Sequence, residues 1–206
     1  MSEAEKAALM LVSRLLEYPD KAWFSSLAGI CGEASLLLEP AGYETVSAFC
    51  GKVMAQSEQV AREDYVRTFD HDPAGSLYLS WHRYGNDRSQ GKAMAALNAL
   101  YRAAGFEPMK GSLPDYLPRM LEFMAVCDDW AVETMLDGFG PEFEKLSRHL
   151  SEQKSPYAPL AAVALAPLKR DYPHLFKARN KPDPTIRPMA HPQAEEALFG
   201  QYGCRH

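Results

Sequence analysis

Apolar residues recur three and four positions apart along most of the chain, and the strict alternation of apolar and polar residues that is typical of strands is absent. The first run places Leu9, Val12 and Leu16 on one face of a helix, which we expect to end before Pro19 because proline disfavours helical geometry in the residue before it. The same spacing predicts further helices over approximately residues 43–55, 58–69, 77–84, 87–105, 115–124, 129–136, 141–151 and 156–172. The chain is therefore predicted to be all-α.

The composition changes near residue 173. Five of the fifteen prolines fall within the final 34 residues, where few large apolar side chains occur. Residues 1–172 are therefore predicted to form one helical domain, and residues 173–206 a Pro-rich and poorly ordered C-terminal tail.

Composition and charge exclude several classes of protein. A chain of 206 residues that is 47% hydrophobic can bury a substantial core, yet it has no run of about 18 apolar residues that would span a membrane and no secretory signal at its start. A cytoplasmic location is expected. The net charge of −5 makes nucleic acid a poor partner. The four cysteines and six histidines are too scattered to indicate a disulfide framework, a metal site or a bound cofactor.

Catalytic motifs are also absent from the sequence. It contains no GxSxG, GxxxxGK[ST], GxGxxG or HExxH segment. His82 and Asp87 would make an acid–base pair, but no nucleophile is tied to them by the sequence. The protein is therefore predicted not to be an enzyme, and binding is the expected activity.

The segment from residue 65 to residue 84 combines large aromatic side chains with a loop rich in Asp, Pro and Gly. Ser76 is predicted to cap a short helix after this loop. The loop and the helix are expected to form the rim of a groove with apolar walls and polar tips. For each aromatic residue alone, an ordinary place in the core remains an alternative. The side chains assigned to the groove are Tyr65, Phe69, Tyr78, Trp81 and His82.

Two later helix starts carry charged candidates. Asp87 is predicted to cap a helix, and Arg88 beside it could hold an anion. Gly91 lies inside that helix at a cost of about 1 kcal/mol relative to alanine, which indicates close approach either by another helix or by a ligand. Asp115 is predicted to cap the next helix, and Glu122 adds a second carboxylate, so that a basic peptide would suit this surface. Simple capping and solvent exposure remain the alternatives.

Taken together, these segments resemble the nitrate reductase delta subunit family, the NarJ-type molybdenum cofactor assembly chaperones within the TorD-like redox-enzyme maturation proteins. The resemblance spans about residues 10 to 125. The matching segments are SRLLEYPD at 13–20, YVRTF at 65–69, SLYL at 76–79, His82, Gly85, Asp87, Arg88, Gly91, Ala93, Met94, LPDYLP at 113–118 and LEF at 121–123.

The resemblance implies a TorD-like helical bundle and a chaperone without catalytic activity. Such a chaperone binds the apo catalytic subunit of a respiratory molybdenum oxidoreductase, with nitrate reductase as the usual client, and assists insertion of the molybdenum cofactor. The implied partner includes the client's N-terminal peptide, and contact with the membrane is expected only through the client. The residues to which the resemblance extends peptide binding are Tyr65, Tyr78, His82, Asp87, Arg88, Asp115 and Glu122. Phe69, Trp81 and Tyr116 complete the predicted peptide-binding site.

Two alternatives remain open from the sequence. One is a permanent structural subunit of an oxidoreductase complex. The other is a chaperone for a related molybdenum enzyme that is not nitrate reductase.

Overall fold

The computed structural model describes residues 1–85, 87–107 and 113–177 of the chain. Within these ranges it contains α-helices and two short 3-10 turns, at Pro73–Gly75 and Pro173–Phe176, and no strand. The all-α prediction is confirmed. The helices are α1 Glu3–Leu15, α2 Lys21–Leu37, α3 Pro40–Met54, α4 Glu58–Phe69, α5 Leu79–Tyr84, α6 Ser89–Ala103, α7 Leu117–Val126, α8 Asp129–Glu152 and α9 Ala158–Asp171.

Short polar residues determine where several of the helices begin. The Ser2 hydroxyl accepts the backbone N–H of Glu5, whose carboxylate in turn accepts the N–H of Ser2, and this reciprocal pair starts α1. Asp20 caps α2 and Ser57 caps α4, each through one side-chain oxygen that accepts a backbone N–H of the first turn. These caps satisfy donors that have no partner inside the helix.

Helix α1 lies at the centre of the bundle and packs against α7, α9 and α2. Leu9 and Val12 of this helix and Leu16 directly after it, which the sequence placed on one face, are completely buried. Helix α8 packs against α9 and α5 and contributes Phe139 and Phe143 to the same core. Among the described helices, none combines the length and the apolar character needed to cross a membrane.

One predicted break in the helices is wrong. The sequence predicts separate helices over 129–136 and 141–151, whereas α8 runs without interruption from Asp129 to Glu152 and contains Pro141. An interior proline removes a helical hydrogen bond. Phe139 and Phe143 are buried on either side of it, so tertiary packing overrides the local preference.

The first residues of the predicted tail belong to the folded body. Pro173–Phe176 form a 3-10 turn that packs on α8, and Leu175 and Phe176 are buried. The turn fits because Gly140 of α8 has no side chain: a Cβ there would lie 2.7 Å from the Leu175 carbonyl oxygen. The rest of the predicted tail, residues 178–206, lies outside the described residues.

Candidate peptide-binding site

A small cleft opens beside the C-terminal end of α4, and four of the ten predicted site residues line it. The cleft has a volume of about 210 Å³. Tyr18 and Tyr78 form its exposed walls, with 46% and 42% of their surfaces accessible. We call it the tyrosine cleft, and its lining residues are Tyr18, Tyr65, Phe69, Asp70, Leu77, Tyr78 and Tyr116.

Tyr65 and Phe69 form the floor of this cleft and not its rim. Both are almost completely buried, and their rings pack edge-on with centroids 4.8 Å apart. The Tyr65 hydroxyl donates to the Leu16 carbonyl at 3.2 Å and lies 3.3 Å from the Tyr116 hydroxyl. The ordinary core role that the sequence left open therefore accounts for most of their surface.

Backbone pairing joins the two sides of the tyrosine cleft. Tyr78 and Tyr116 form an isolated antiparallel bridge, in which the Leu79 N–H donates to the Asp115 carbonyl at 3.1 Å and the Leu117 N–H donates to the Leu77 carbonyl at 2.8 Å. The two tyrosine rings consequently lie side by side, with centroids 5.2 Å apart and an interplanar angle of 34°.

The same pairing buries Asp115 and shows that its predicted role as the cap of α7 is wrong. Helix α7 begins at Leu117 without any side-chain cap. The Asp115 carboxylate instead accepts the backbone N–H of Ser80 at 3.1 Å and its hydroxyl at 2.6 Å, so that it caps the start of α5. The Gln90 amide donates to the Ser80 hydroxyl at 2.9 Å and extends the network to α6. Asp115 has no accessible surface, so it stabilises the backbone next to the cleft and does not line it.

Around α5 the structure corrects one cap and places two predicted residues. The helix begins at Leu79, and the Ser76 hydroxyl accepts the Tyr78 N–H in a turn before it, so Ser76 is not the helix cap. Trp81 is exposed one turn after Tyr78 but does not line the tyrosine cleft. His82 is half-buried, with Nε2 2.7 Å from the Ser76 carbonyl oxygen, and burial lowers its pKa.

The Asp87 region also lies outside the cleft lining. Asp87 and Arg88 are exposed, and the Asp87 carboxylate accepts the Ser89 N–H at 2.7 Å in a turn before α6. The N-cap of α6 is Arg88, without a side-chain hydrogen bond, so the predicted cap at Asp87 is wrong. Gly91 is exposed, and a Cβ added to it would meet no described atom within 4 Å. Helix–helix packing therefore does not explain this glycine within the described part of the chain, and the approach of a ligand stays a prediction.

A second and more apolar cleft lies between α1, α6 and α7. Its volume is about 320 Å³, and Glu122 is the one predicted site residue in its lining. Phe106 and Val126 are exposed at its edge although both are apolar. We call it the apolar cleft, and its described lining residues are Met10, Asn98, Tyr101, Phe106, Glu107, Pro114, Arg119, Glu122, Phe123 and Val126.

Helix α7 connects the two clefts. Tyr116 precedes its first residue and lines the tyrosine cleft, whereas Arg119, Phe123 and Val126 line the apolar cleft. These positions follow helical spacing of three, four and three residues, so they share one face of the helix. At a rise of 1.5 Å per residue, the ends of this face lie about 15 Å apart.

Glu17 is a site residue that sequence reasoning missed. The Tyr116 hydroxyl donates to its carboxylate at 3.2 Å, which places the charge next to the tyrosine cleft. Partial burial raises the pKa of Glu17, the hydrogen bond from Tyr116 opposes this, and the nearby carboxylate of Glu122 raises it further. The matching segment at 13–20 contained Glu17, but its position after α1 gives no local sign that it faces a residue 99 positions away.

These features define a class: an all-α protein with aromatic surface clefts and, within the residues that the structure describes, no group of three or more His, Cys, Asp or Glu side chains placed to hold a metal ion. A family model described as nitrate reductase delta subunit matches residues 38–162.

Three named proteins are similar to this chain. The probable nitrate reductase molybdenum cofactor assembly chaperone NarJ of Bacillus subtilis is 31% identical over 162 residues, which cover 77% of this chain and 86% of that protein. The nitrate reductase molybdenum cofactor assembly chaperone NarJ of Escherichia coli K12 is 34% identical over 76% of this chain and 67% of its own length. The nitrate reductase-like protein NarX of Mycobacterium tuberculosis H37Rv is 34% identical over 73% of this chain, which corresponds to 22% of that longer protein.

The chain belongs to the nitrate reductase delta subunit family, as the sequence resemblance implied. Its NarJ relatives are named as nitrate reductase molybdenum cofactor assembly chaperones, which supports a chaperone role for this chain.

Proposed function

We propose that this chaperone binds the apo catalytic subunit of a respiratory molybdenum oxidoreductase, with nitrate reductase as the client, and assists insertion of the molybdenum cofactor. The observation that carries the proposal is the match to two NarJ assembly chaperones over three quarters of the chain. The protein acts in the cytoplasm and contacts the membrane only through its client. Release follows when the client folds around its cofactor and no longer offers the bound segment.

The N-terminal segment of the client lies along α7, between the tyrosine cleft and the apolar cleft. Peptide helices commonly bind by placing one apolar face in a groove of this kind. The apolar cleft supplies Phe106, Phe123 and Val126 for that face. The exposed apolar surface of Phe106 and Val126 supports this placement, since burying such surface favours association by about 25 cal/mol per Å² before the costs of ordering.

Calorimetric titration with a synthetic peptide of the client's N-terminal segment tests the site. Tyr78→Ala removes an exposed wall of the tyrosine cleft and should weaken binding about tenfold, because a tyrosine at the centre of an interface commonly contributes more than 1 kcal/mol. Tyr43→Ala is the matched control: Tyr43 is similarly exposed but lies on α3, away from both clefts. Equal losses in the two variants would show that the tyrosine cleft is not the binding site.

Purification of the client tests the function itself. The chain should co-purify with the catalytic subunit from cells that cannot make the molybdenum cofactor, and it should be absent from the mature enzyme. Stoichiometric retention in the mature enzyme would favour the permanent structural subunit instead.

A further inference from the structure

The size of the tyrosine cleft indicates what kind of group it can bind. Its volume of about 210 Å³ is below the range of roughly 300–1,000 Å³ that is usual for sites of small molecules and cofactors. The cleft is also open to solvent through the exposed rings of Tyr18 and Tyr78. A site of this size suits one side chain of a larger partner.

The walls of the cleft are aromatic on several sides. Tyr18 stands edge-on to Tyr65 with ring centroids 5.4 Å apart, and Tyr78 lies beside Tyr116. A cation within about 6 Å of a ring centroid is attracted by the negative face of the ring, and the attraction is stronger when several rings surround it and exclude water. A positively charged group in the cleft would lie within reach of more than one of these rings.

The charge around the cleft is negative, as a positively charged group in it would require. Asp70 is part of the lining, and the Glu17 carboxylate accepts the Tyr116 hydroxyl next to it. No Lys or Arg occurs among the described residues that line the cleft. Glu122 and Asp20 add negative charge near Glu17, and Arg119, in the neighbouring cleft, supplies an opposing positive charge.

We infer that the tyrosine cleft binds the guanidinium group of an arginine side chain in the client's N-terminal segment, between the rings of Tyr18, Tyr78 and Tyr116 and beside the carboxylates of Glu17 and Asp70. The identity of the client rests on the proposed function, whereas the chemistry of the guest follows from the cleft. Arginine fits better than lysine because its planar group stacks on aromatic rings while it donates hydrogen bonds in a fixed fork to carboxylates.

The first test compares two forms of one peptide by calorimetry with the full chain. One form carries the client's N-terminal sequence, and the other has each arginine replaced by citrulline, which keeps the shape and removes the charge. Citrulline should weaken binding to the wild-type chain about tenfold. In Tyr78→Leu, and separately in Glu17→Gln, the same replacement should cost less than about threefold, because one of the groups that hold the guanidinium is already lost. In the matched control Tyr43→Leu the full tenfold effect should remain.

A second test does not depend on the client. N-acetyl-arginine amide at millimolar concentration should shift the ring resonances of Tyr18, Tyr78 and Tyr116 in a tyrosine-labelled sample, and the citrulline amide should not. Binding of the amide without any binding of the peptide would support the arginine site and refute the proposed function. Equal affinity for the arginine and citrulline peptides would refute the arginine site and leave the proposed function standing. Equal affinity for a lysine-substituted peptide would refute the preference for the guanidinium group.

Discussion

Replacement of Asp115 by alanine should destabilise the fold strongly, although the sequence placed this residue on a binding surface. The carboxylate is completely buried and accepts two hydrogen bonds from Ser80, one from the backbone N–H and one from the hydroxyl. Hydrogen bonds to a charged group contribute about 1.5–3 kcal/mol each, and a buried donor left without a partner costs about 1–3 kcal/mol.

One contribution acts in the opposite direction. The Asp115 Oδ1 atom is buried without a hydrogen-bond partner among the described residues, so removing the carboxylate also removes a desolvation cost. Ser80 remains bonded to the Gln90 amide through its hydroxyl. We therefore expect Asp115→Ala to lower the free energy of unfolding by about 3 kcal/mol, at the lower end of the sum of the two bonds.

Urea unfolding followed by circular dichroism at 222 nm measures this loss. Ser80→Ala removes one of the two donors and should cost less, and the double variant should cost less than the sum of the single ones, since the two residues share a bond. A loss below about 1 kcal/mol in Asp115→Ala, together with weaker binding of the client peptide, would refute this reasoning and restore the surface role that the sequence predicted.

Three further predictions concern other parts of the chain. Gly140→Ala places a Cβ 2.7 Å from the Leu175 carbonyl oxygen and should lower the free energy of unfolding by about 1–3 kcal/mol. Gly91→Ala adds a Cβ in open space and should raise the free energy of unfolding by about 0.5–1 kcal/mol. Urea unfolding measures both changes, and a Gly140→Ala variant as stable as the wild type would contradict the packing argument. Burial lowers the pKa of His82 below its ordinary value of 6.5, so on acidification the unfolded chain takes up a proton at a higher pH than the folded chain, and stability should fall as the pH drops below about 6.5. His82→Gln should reduce the difference in unfolding free energy between pH 7 and pH 5. An unchanged difference would exclude His82 as its source. Val126→Asp places a charge at the edge of the apolar cleft and should weaken client-peptide binding about tenfold with unchanged helix content, whereas full affinity would remove this cleft from the site.

The helices themselves were largely predictable because their signals are local. The prediction for residues 58–69 coincides with α4, where apolar spacing is bounded by a serine cap and an aspartate-rich loop. The split predicted within 129–152 failed because Pro141 is a strong local signal, and the burial of Phe139 and Phe143 against other elements is not visible in the local sequence.

The sequence indicated which aromatic residues are candidates for the site but not which way they face. Helical spacing identified Tyr78 and Trp81 as candidates, and both are exposed. It could not separate them from Tyr65, which faces inward, because an aromatic side chain suits a core and a binding surface equally well. The positions of the Asp115 and Glu17 side chains depend on contacts between distant segments. The bridge of Tyr78 and Tyr116 positions Asp115, and the Tyr116 hydroxyl positions Glu17.

The backbone bridge between Tyr78 and Tyr116 also has a consequence for the kinetics of recognition. Since main-chain hydrogen bonds set the spacing of these two rings, an incoming segment meets walls that are already in position and does not wait for a rearrangement of the chaperone. The association rate should then vary little among client sequences, and differences in affinity should appear mainly as differences in residence time.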